Sequence, residues 1–411
     1  MTAAAVSPLA PAGFPALPPI SGVRLAAFAA GIRYTGRNDL MLVELAAGST
    51  VAGVFTQSTM PGQPVIWCRE CLPRGKVRAI VVNSGNANVF TGRAGRQVVE
   101  STAATAAKLF ACDRHEVYIA STGVIGEPPP ADRISAALPS VAGLLDAAAW
   151  QPAARAIMTT DTFPKGATAT ATIDGVAVRI NGFCKGSGMI APDMATMLVY
   201  LFSDATLPHQ VLQPLLVAAN ERSFNSMTVD GDTSTSDTVL LCATGQARHH
   251  PVSNPEDPRL AGFRSALEAV MIDLAQQIAR DGEGAQKFVT IEITGAESDR
   301  AARRIGLTIG NSPLVKTAIA AGDANWGRIV MAVGRAGEKA DRDLLSISVG
   351  GIQIAAHGGP VPGYDEAPVA EHMKGREIAI AVDLGIGRGR ATVWTCDLTH
   401  GYIDINGSYR S

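Results

Sequence analysis

The sequence predicts an α/β fold in which strands and β-hairpins are covered by helices. Residues 168–173 and 176–180 predict two strands, and Asp174-Gly175 between them is typical of a two-residue hairpin turn. Residues 197–202 form an apolar run of strand length. Between residues 260 and 278, apolar side chains recur every three or four positions, which predicts one face of a long helix. These elements favour sheets sandwiched by helices over a regular parallel wrap.

The remaining elements follow the same alternation of strands and helices. Asp257 and Pro258 are typical of the start of the long helix, and Arg280 with Gly282 of its end. The other predicted elements are a buried strand at 77–82, a loop at 83–88, an alanine-rich helix at 95–110, a proline-rich loop at 251–258, and strands at 287–293 and 378–382.

The composition is that of a compact soluble protein. Of 411 residues, 47% are apolar and 18% are charged, which is enough apolar sequence for one large core or two domains. Lys and Arg number 35 against 37 Asp and Glu, so the net charge is −2. This balance does not predict binding to nucleic acid or to an acidic membrane.

The sequence shows no targeting or disulfide signal. Residues 1–20 are rich in Ala and Pro and lack a basic segment, which indicates a loose arm rather than a signal peptide. No apolar stretch reaches the length of a membrane span. Six scattered cysteines favour a reducing, cytoplasmic location. Cys68 and Cys71 have redox spacing, but Pro73 and Gly75 would end the helix that a redox pair needs, so we expect ordinary packing.

The most informative motif is a glycine-rich run at residues 185–198, Lys-Gly-Ser-Gly-Met-Ile-Ala-Pro-Asp-Met-Ala-Thr-Met-Leu. It leads from the predicted hairpin to the apolar strand. If the Ala195–Thr196 bond were cleaved, Thr196 would carry both a hydroxyl nucleophile and an α-amine that can serve as its base. Such amines titrate near pH 8. No Gly-x-Ser-x-Gly motif competes for this role, although the residues alone also fit an ordinary loop.

This motif resembles the self-processing site of the ornithine acetyltransferase family. The resemblance extends from about residue 20 to residue 411 and is specific because several blocks occur in the family order. These blocks are Ile119 to Gly126, Thr159 to Thr162, Thr228 to Thr235, Asp281 to Gly284 and Ile405 to Ser411.

The resemblance implies a fold and an assembly. We expect an αββα-type sandwich built from an α fragment, residues 1–195, and a β fragment, residues 196–411, that begins at the nucleophile. The family likeness also implies an assembly of two α and two β chains.

The resemblance also implies an activity. We expect transfer of acetyl from N2-acetylornithine to glutamate by a ping-pong mechanism through acetyl-Thr196, in cyclic arginine biosynthesis. Thr122 and Gly123 match the family's oxyanion hole. The expected substrate-binding residues are Thr159, Lys185, Thr196, Glu283, Asn406 and Ser411. Taken alone, Thr122-Gly123 also fits a turn after a strand, and the two charged residues fit solvated loops.

No metal or redox cofactor is expected, and acetyl-CoA use, as in some family members, stays open. Asp193 and Ser236 stand where Asn is common in the family, and Ser411 where Thr is. The loose dinucleotide and calcium-loop matches fail, because Pro192 and Thr235 occupy incompatible positions. Two other functions remain open: a self-processed amidase or aminopeptidase, and an unprocessed protein that binds acetylated amino acids.

Overall fold

The computed structural model describes residues 5–191 and 197–407. These residues contain fifteen strands, numbered in chain order. They are β1 Val23–Phe28, β2 Leu40–Leu45, β3 Thr50–Phe55, β4 Ala79–Asn86, β5 Val117–Val124, β6 Lys165–Ile173, β7 Val176–Lys185, β8 Leu198–Ser203, β9 Thr238–Ala243, β10 Phe288–Ala296, β11 Ser346–Val349, β12 Ile352–Ala356, β13 Gly359–Pro360, β14 Glu377–Asp383 and β15 Gly389–Cys396.

The same residues contain eleven α-helices. They are α1 Gln63–Cys71, α2 Gly92–Phe110, α3 Ala131–Ala142, α4 Trp150–Ala156, α5 His209–Glu221, α6 Ala261–Arg280, α7 Asp299–Gly310, α8 Pro313–Ala321, α9 Trp326–Gly334, α10 Glu366–Lys374 and α11 His400–Asn406. None of the described helices is long and apolar enough to cross a bilayer.

Three sheets organise the chain. The first has the order β1-β2-β4-β5, in which β4 and β5 run parallel. The second has the order β3-β9-β8-β7-β6, with β8 and β9 parallel and its other pairs antiparallel. The third has the order β13-β12-β11-β14-β10-β15. Predominantly antiparallel neighbours explain why hairpins, rather than crossover units, dominate the sequence pattern.

The alternation of side chains along β8 shows how the first two sheets are layered. Tyr200 and Phe202 belong to the core that the second sheet shares with the first sheet and α1 to α4. Val199 and Leu201, on the opposite face, pack into the core formed with α5 and α6. A strand buried on both faces separates two layers. Helices therefore cover both outer faces of two stacked sheets, and the predicted αββα sandwich is confirmed.

The third sheet was not predicted as a separate layer. Ile291 and Ile293 of β10 share a core with Ile305 and Ile309 of α7. This core is distinct from the two that surround the second sheet. The sequence analysis recognised two of its strands but not the sheet itself, because the paired strands β10 and β14 are separated by eighty residues.

One local prediction was wrong, and one alternative that the sequence left open is excluded at the same place. The predicted loop at 83–88 is strand as far as Asn86, and β5 continues through Thr122 and Gly123 instead of turning there. The reason is the parallel pairing of these two strand ends, in which Gly85 lies opposite Gly123. Polar residues in a buried strand look like a loop when only the sequence is considered.

The other predicted elements lie where expected within a few residues. The Asp174-Gly175 turn connects β6 to β7, and both residues have positive φ, 53° and 78°, as the hairpin turn requires. Helix α1 ends at Cys71, before Pro73. The Cys68 thiol donates to the Ile119 carbonyl at 3.2 Å, and burial raises its pKa. These contacts agree with packing rather than redox chemistry.

Candidate active site

One cavity of about 250 Å³ brings together every predicted site residue that the structure describes. Its lining includes both the predicted oxyanion-hole residues and four predicted substrate-binding residues. These are Thr122, Gly123, Thr159, Lys185, Glu283 and Asn406. Ala195, Thr196 and Ser411 lie outside the described residues, as does Asp193. The roles of all nine predicted residues therefore stay predictions, although six of them share one cavity.

The end of β5 supplies the floor of this cavity. Thr122 is 2% exposed. Gly123 has φ +125°, and an added Cβ would lie 2.3 Å from the backbone carbonyl of Gly85 on β4. No side chain fits at this distance, so position 123 requires glycine. The end of β5 therefore places the hydroxyl of Thr122 next to the backbone amide of Gly123 at the cavity floor.

Lys185 is the last residue of β7 and is not a solvated loop charge. Its side chain is 3% exposed, and Nζ donates to Thr122 Oγ1 at 3.3 Å. Burial lowers the pKa of Lys185, while the Asp161 carboxylate, with an Oδ2 3.9 Å away, opposes this effect. A lysine that donates to this hydroxyl oxygen leaves the hydroxyl proton available for another acceptor.

Asp161 connects several parts of the site and was not singled out from the sequence. Its Oδ1 accepts from Lys165 Nζ at 2.8 Å and from the Gly186 amide at 2.7 Å. Its Oδ2 accepts from the Thr159 amide at 3.1 Å. The nearby lysines hold the pKa of this fully buried carboxyl well below its usual range, although burial itself acts in the opposite direction. Asp161 thus fixes the backbone on two sides of the cavity.

Asp281 completes this buried charge network. Lys165 Nζ donates to Asp281 Oδ2 at 2.6 Å, and both side chains are fully buried. The backbone carbonyl of Asp281 accepts from the Ser187 hydroxyl at 2.6 Å. The network therefore connects β6 to the glycine-rich loop after β7 and to the segment that carries Glu283.

Glu283 supplies the negative charge of the cavity and is 8% exposed. Asn406 Nδ2 donates to Glu283 Oε2 at 2.7 Å. Burial raises the pKa of Glu283, whereas Asn406 and the Thr160 hydroxyl lower it. An added Cβ on Gly188 would lie 2.4 Å from the Glu283 carboxyl. The second glycine of the predicted loop therefore allows this carboxylate to approach the backbone.

Two aspartates accept hydrogen bonds from backbone amides on either side of residues 192–196, which lie outside the described residues. Before these residues, Asp230 accepts from the amides of Met189 at 2.6 Å and Ile190 at 2.8 Å. After them, Asp237 Oδ1 accepts from the Met197 amide at 2.9 Å. Asp230 also accepts from the Asp232 amide at 3.2 Å. The sequence analysis did not identify Asp237.

The arrangement suits acyl transfer in its residue types. A hydroxyl and a glycine amide can stabilise negative charge on a carbonyl oxygen. A buried lysine and a buried glutamate offer opposite charges for a ligand with a carboxylate and an amine. Met189, at the cavity wall, has φ +57°, a conformation that is uncommon for residues other than glycine.

Comparisons with known proteins give one consistent result. The model of the ArgJ family matches residues 24–411. The arginine biosynthesis bifunctional protein ArgJ of Gluconobacter oxydans is 60% identical over 406 residues, which cover 99% of this chain and 96% of that protein.

Two solved structures are also similar. The arginine biosynthesis bifunctional protein argJ from Bacillus halodurans is 42% identical with a TM-score of 0.48, and the match covers 50% of this chain and 96% of that one. Ornithine acetyltransferase complexed with ornithine, from Mycobacterium tuberculosis, is 33% identical with a TM-score of 0.37, covering 44% of this chain and 94% of that one.

Proposed function

Because the chain belongs to the ArgJ family, we propose that it is an enzyme of arginine biosynthesis that transfers acetyl from N2-acetylornithine to glutamate, with Thr196 as the nucleophile. The observation that carries the assignment of the site is the shared cavity of Thr122, Gly123, Thr159, Lys185, Glu283 and Asn406. These residues come from five distant segments of the chain.

The nucleophile arises by self-cleavage. Thr196 Oγ attacks the Ala195 carbonyl carbon and an ester forms. The peptide C–N bond breaks, and the Thr196 nitrogen takes up the proton that the hydroxyl loses. Water hydrolyses this ester, leaving a carboxylate on Ala195 and a free α-amine on Thr196. On either side of the junction, the amides of Met189 and Ile190 donate to Asp230, and the amide of Met197 donates to Asp237. The products are fragments 1–195 and 196–411.

The first half-reaction forms acetyl-Thr196. The hydroxyl proton passes to the α-amine as Oγ bonds to the acetyl carbon. Thr122 and Gly123 donate hydrogen bonds to the resulting oxyanion. The bond from the acetyl carbon to the ornithine nitrogen then breaks, and this nitrogen takes the proton. The Lys185 ammonium, which donates to Thr122 Oγ1, polarises the hydroxyl that acts on the oxyanion.

The second half-reaction uses the amine of glutamate. This amine attacks the acetyl ester, its C–N bond forms, and the bond to Thr196 Oγ breaks. The proton released by the amine returns to Oγ through the α-amine. Acetyl-CoA would form the same acetyl-Thr196 ester. The C–S bond of its thioester would then break in place of the C–N bond of acetylornithine. No metal or redox group is needed for either step.

Substrate charge matches the cavity. Lys185 pairs with a ligand carboxylate and Glu283 with a ligand amine. Both charges are buried, so an ion pair with the ligand recovers solvation that each has lost. Thr159, Asn406 and Ser411 add neutral hydrogen-bonding groups. We further propose a cytoplasmic assembly of two α and two β fragments.

Transfer assays test this function. Purified protein is incubated with acetylornithine, with and without glutamate, and ornithine and N-acetylglutamate are measured. Ornithine release should depend on glutamate, whereas equal release without it would make the protein a hydrolase. Thr196→Ser keeps a hydroxyl and an amine and should retain part of the activity, while Thr196→Ala should lose it. Acetyl-CoA in place of acetylornithine shows whether the enzyme is bifunctional.

A further inference from the structure

Residues 5–20, the described part of the N-terminal arm, pack against the rest of the protein. Leu17 is 9% exposed in the core shared by the first and second sheets, and Leu9 is 7% exposed in the core formed with α5 and α6. Phe14 lies so close to β6 that an added Cβ on Gly166 would be 2.6 Å from its ring. Terminal segments are usually poorly ordered unless such contacts hold them, so the arm is a docked part of the fold.

Ser7 of the arm bonds to two other segments of the chain. Its amide donates to Thr162 Oγ1 at 2.9 Å, just before β6, and its hydroxyl donates to the carbonyl of Arg280 at 2.7 Å, at the end of α6. These two segments also bond to each other. The Thr162 amide donates to Asp281 Oδ2 at 2.9 Å, and the Thr162 hydroxyl donates to Oδ1. Ser7 therefore joins the two segments beside the point where they meet.

Each of the two segments that Ser7 joins carries a residue of the cavity. Thr159 lies three positions before Thr162, Glu283 lies two positions after Asp281, and both line the cavity. The buried charge network described above also connects these segments. The placement of one cavity residue relative to the other therefore depends on the contact beside Ser7.

We propose that Ser7 is a positioning residue of the acetyl-transfer site, through which the docked arm fixes Thr159 and Glu283 relative to each other. The inference rests on the proposed function, which assigns both residues to substrate binding. The Thr162 hydroxyl accepts from the Ser7 amide while it donates to Asp281, and hydrogen bonds in such a chain strengthen one another. The arm precedes the part of the chain that the ArgJ family model matches, so the family match does not assign it a role.

The first test compares two substitutions in the arm of the full-length chain. Leu9→Asp places a charge in an apolar core and should release the arm, because a buried unpaired charge is costly. Val6→Asp is the matched control, since it adds the same charge next to Ser7 at a side chain that is 61% exposed. We measure kcat/KM of the self-cleaved proteins well below the melting temperature of each variant, so that lost stability alone does not reduce activity.

We expect Leu9→Asp to lower kcat/KM by about 10-fold to 100-fold, because small displacements of groups away from the reacting atoms can cost this much. Val6→Asp should stay near the wild-type value. If Leu9→Asp does not fold, Ser7→Ala replaces it. This variant removes only the hydroxyl bonded to the Arg280 carbonyl and the Leu9 amide, and it should lower kcat/KM by about 5-fold.

The second test asks whether the arm acts through Thr162. Thr162→Val removes the hydroxyl that connects Ser7 to Asp281, whereas Thr162→Ser keeps it and should restore most of the activity. In the Thr162→Val background, Leu9→Asp should cause little further loss of kcat/KM, because the connection is already broken. Independent effects at two sites would instead multiply as fold-changes.

Three results would overturn the role of Ser7. The first is equal kcat/KM in Leu9→Asp and Val6→Asp, and the second is an unchanged kcat/KM in Ser7→Ala. The third is a pair of losses that multiply when Leu9→Asp and Thr162→Val are combined, which would make the arm a structural element only. Failure of the proposed function looks different, because the wild-type protein would then transfer no acetyl group to glutamate.

Discussion

Lys185 Nζ donates a hydrogen bond to Thr122 Oγ1 across 3.3 Å, joining the end of β7 in the second sheet to the end of β5 in the first. Both side chains are at most 3% exposed. The contact places a cation behind the hydroxyl that we propose for the oxyanion hole. In a water-poor site such a charge acts over a short distance and with little screening.

Lys185→Met should therefore impair both binding and chemistry. The substitution keeps most of the side-chain volume but removes the charge and the donor to Thr122. We expect kcat/KM to fall by about 100-fold to 1000-fold, with part of the loss in KM for glutamate. Steady-state kinetics with each substrate varied in turn measure both effects.

Lys316→Met provides the matched control for this prediction. Lys316 is 3% exposed and its Nζ donates to Thr395 Oγ1 at 3.0 Å, but it does not line the cavity. The Lys316→Met variant should be less stable than the wild-type protein, but kcat/KM of the folded variant should stay near the wild-type value. Equal losses of kcat/KM in the two variants would remove the special role of Lys185.

Gly123→Ala should disrupt both the floor of the cavity and the activity. The added Cβ would lie 2.3 Å from the Gly85 carbonyl, so the ends of β4 and β5 must separate. Gly126→Ala is the control, because Gly126 also has a positive φ, +92°, but has open space around its α-carbon. We expect about 1 kcal/mol of destabilisation from backbone strain in the control, and a larger loss with no detectable transfer in Gly123→Ala. Thermal melting and the transfer assay distinguish them.

Asn406→Leu should shift the pH dependence of kcat/KM. Burial raises the pKa of Glu283, and the hydrogen bond from Asn406 lowers it. Removing this donor destabilises the carboxylate, so its pKa rises further and the acid limb moves to higher pH. Asn254→Leu, in an exposed loop that does not line the cavity, should leave the limb in place. An unmoved limb in Asn406→Leu would argue against ionised Glu283 as the binding group.

Asp161→Asn should be the most destabilising of these substitutions. It leaves Lys165 with one carboxylate where it had two, in a fully buried site. Breaking a buried ion pair typically costs about 3–5 kcal/mol. Glu371→Gln breaks the exposed pair with Lys374 and should cost under about 1 kcal/mol. Urea unfolding measures both, and similar losses would contradict the importance of the buried network.

The network also predicts the pH dependence of stability. The folded pKa of Asp161 is depressed, so its contribution is fully present above the unfolded pKa, which is about 3.9. The contribution is lost as the pH falls below that value through the folded pKa. The wild-type protein should therefore lose more stability than Asp161→Asn between about pH 4 and pH 2, and parallel curves would contradict this.

Local patterns in the sequence identified much of the fold and the family. The Asp174-Gly175 turn predicted the hairpin, and apolar residues at every third or fourth position predicted helix α6. Both elements could be predicted because residues close in sequence determine them. Five short sequence blocks in the family order indicated the resemblance to the ornithine acetyltransferase family. The match to the ArgJ family confirms it. The third sheet escaped because its parallel pair, β10 and β14, comes from distant parts of the chain.

Residues whose roles depend on distant partners were not identified. Asp161 matters because it reaches Lys165, Lys185 and the Gly186 amide, and Asp237 because it holds Met197. In the sequence, each of these aspartates stands among other polar residues of a loop, and nothing nearby distinguishes it from them. Lys185 and Glu283 were expected to bind substrate only through the family resemblance. Taken alone they also fit solvated charges, because burial depends on packing that the local sequence does not specify.

The central claim is that residue 196 becomes both the amino terminus and the acetyl carrier. The most direct measurement is the intact mass of the purified protein before and after acetylornithine is added without glutamate. Two fragments should be found, one beginning at Thr196, and this fragment alone should gain a single acetyl group that glutamate then removes. A full-length chain that transfers acetyl, or acetylation on the fragment ending at Ala195, would contradict the account.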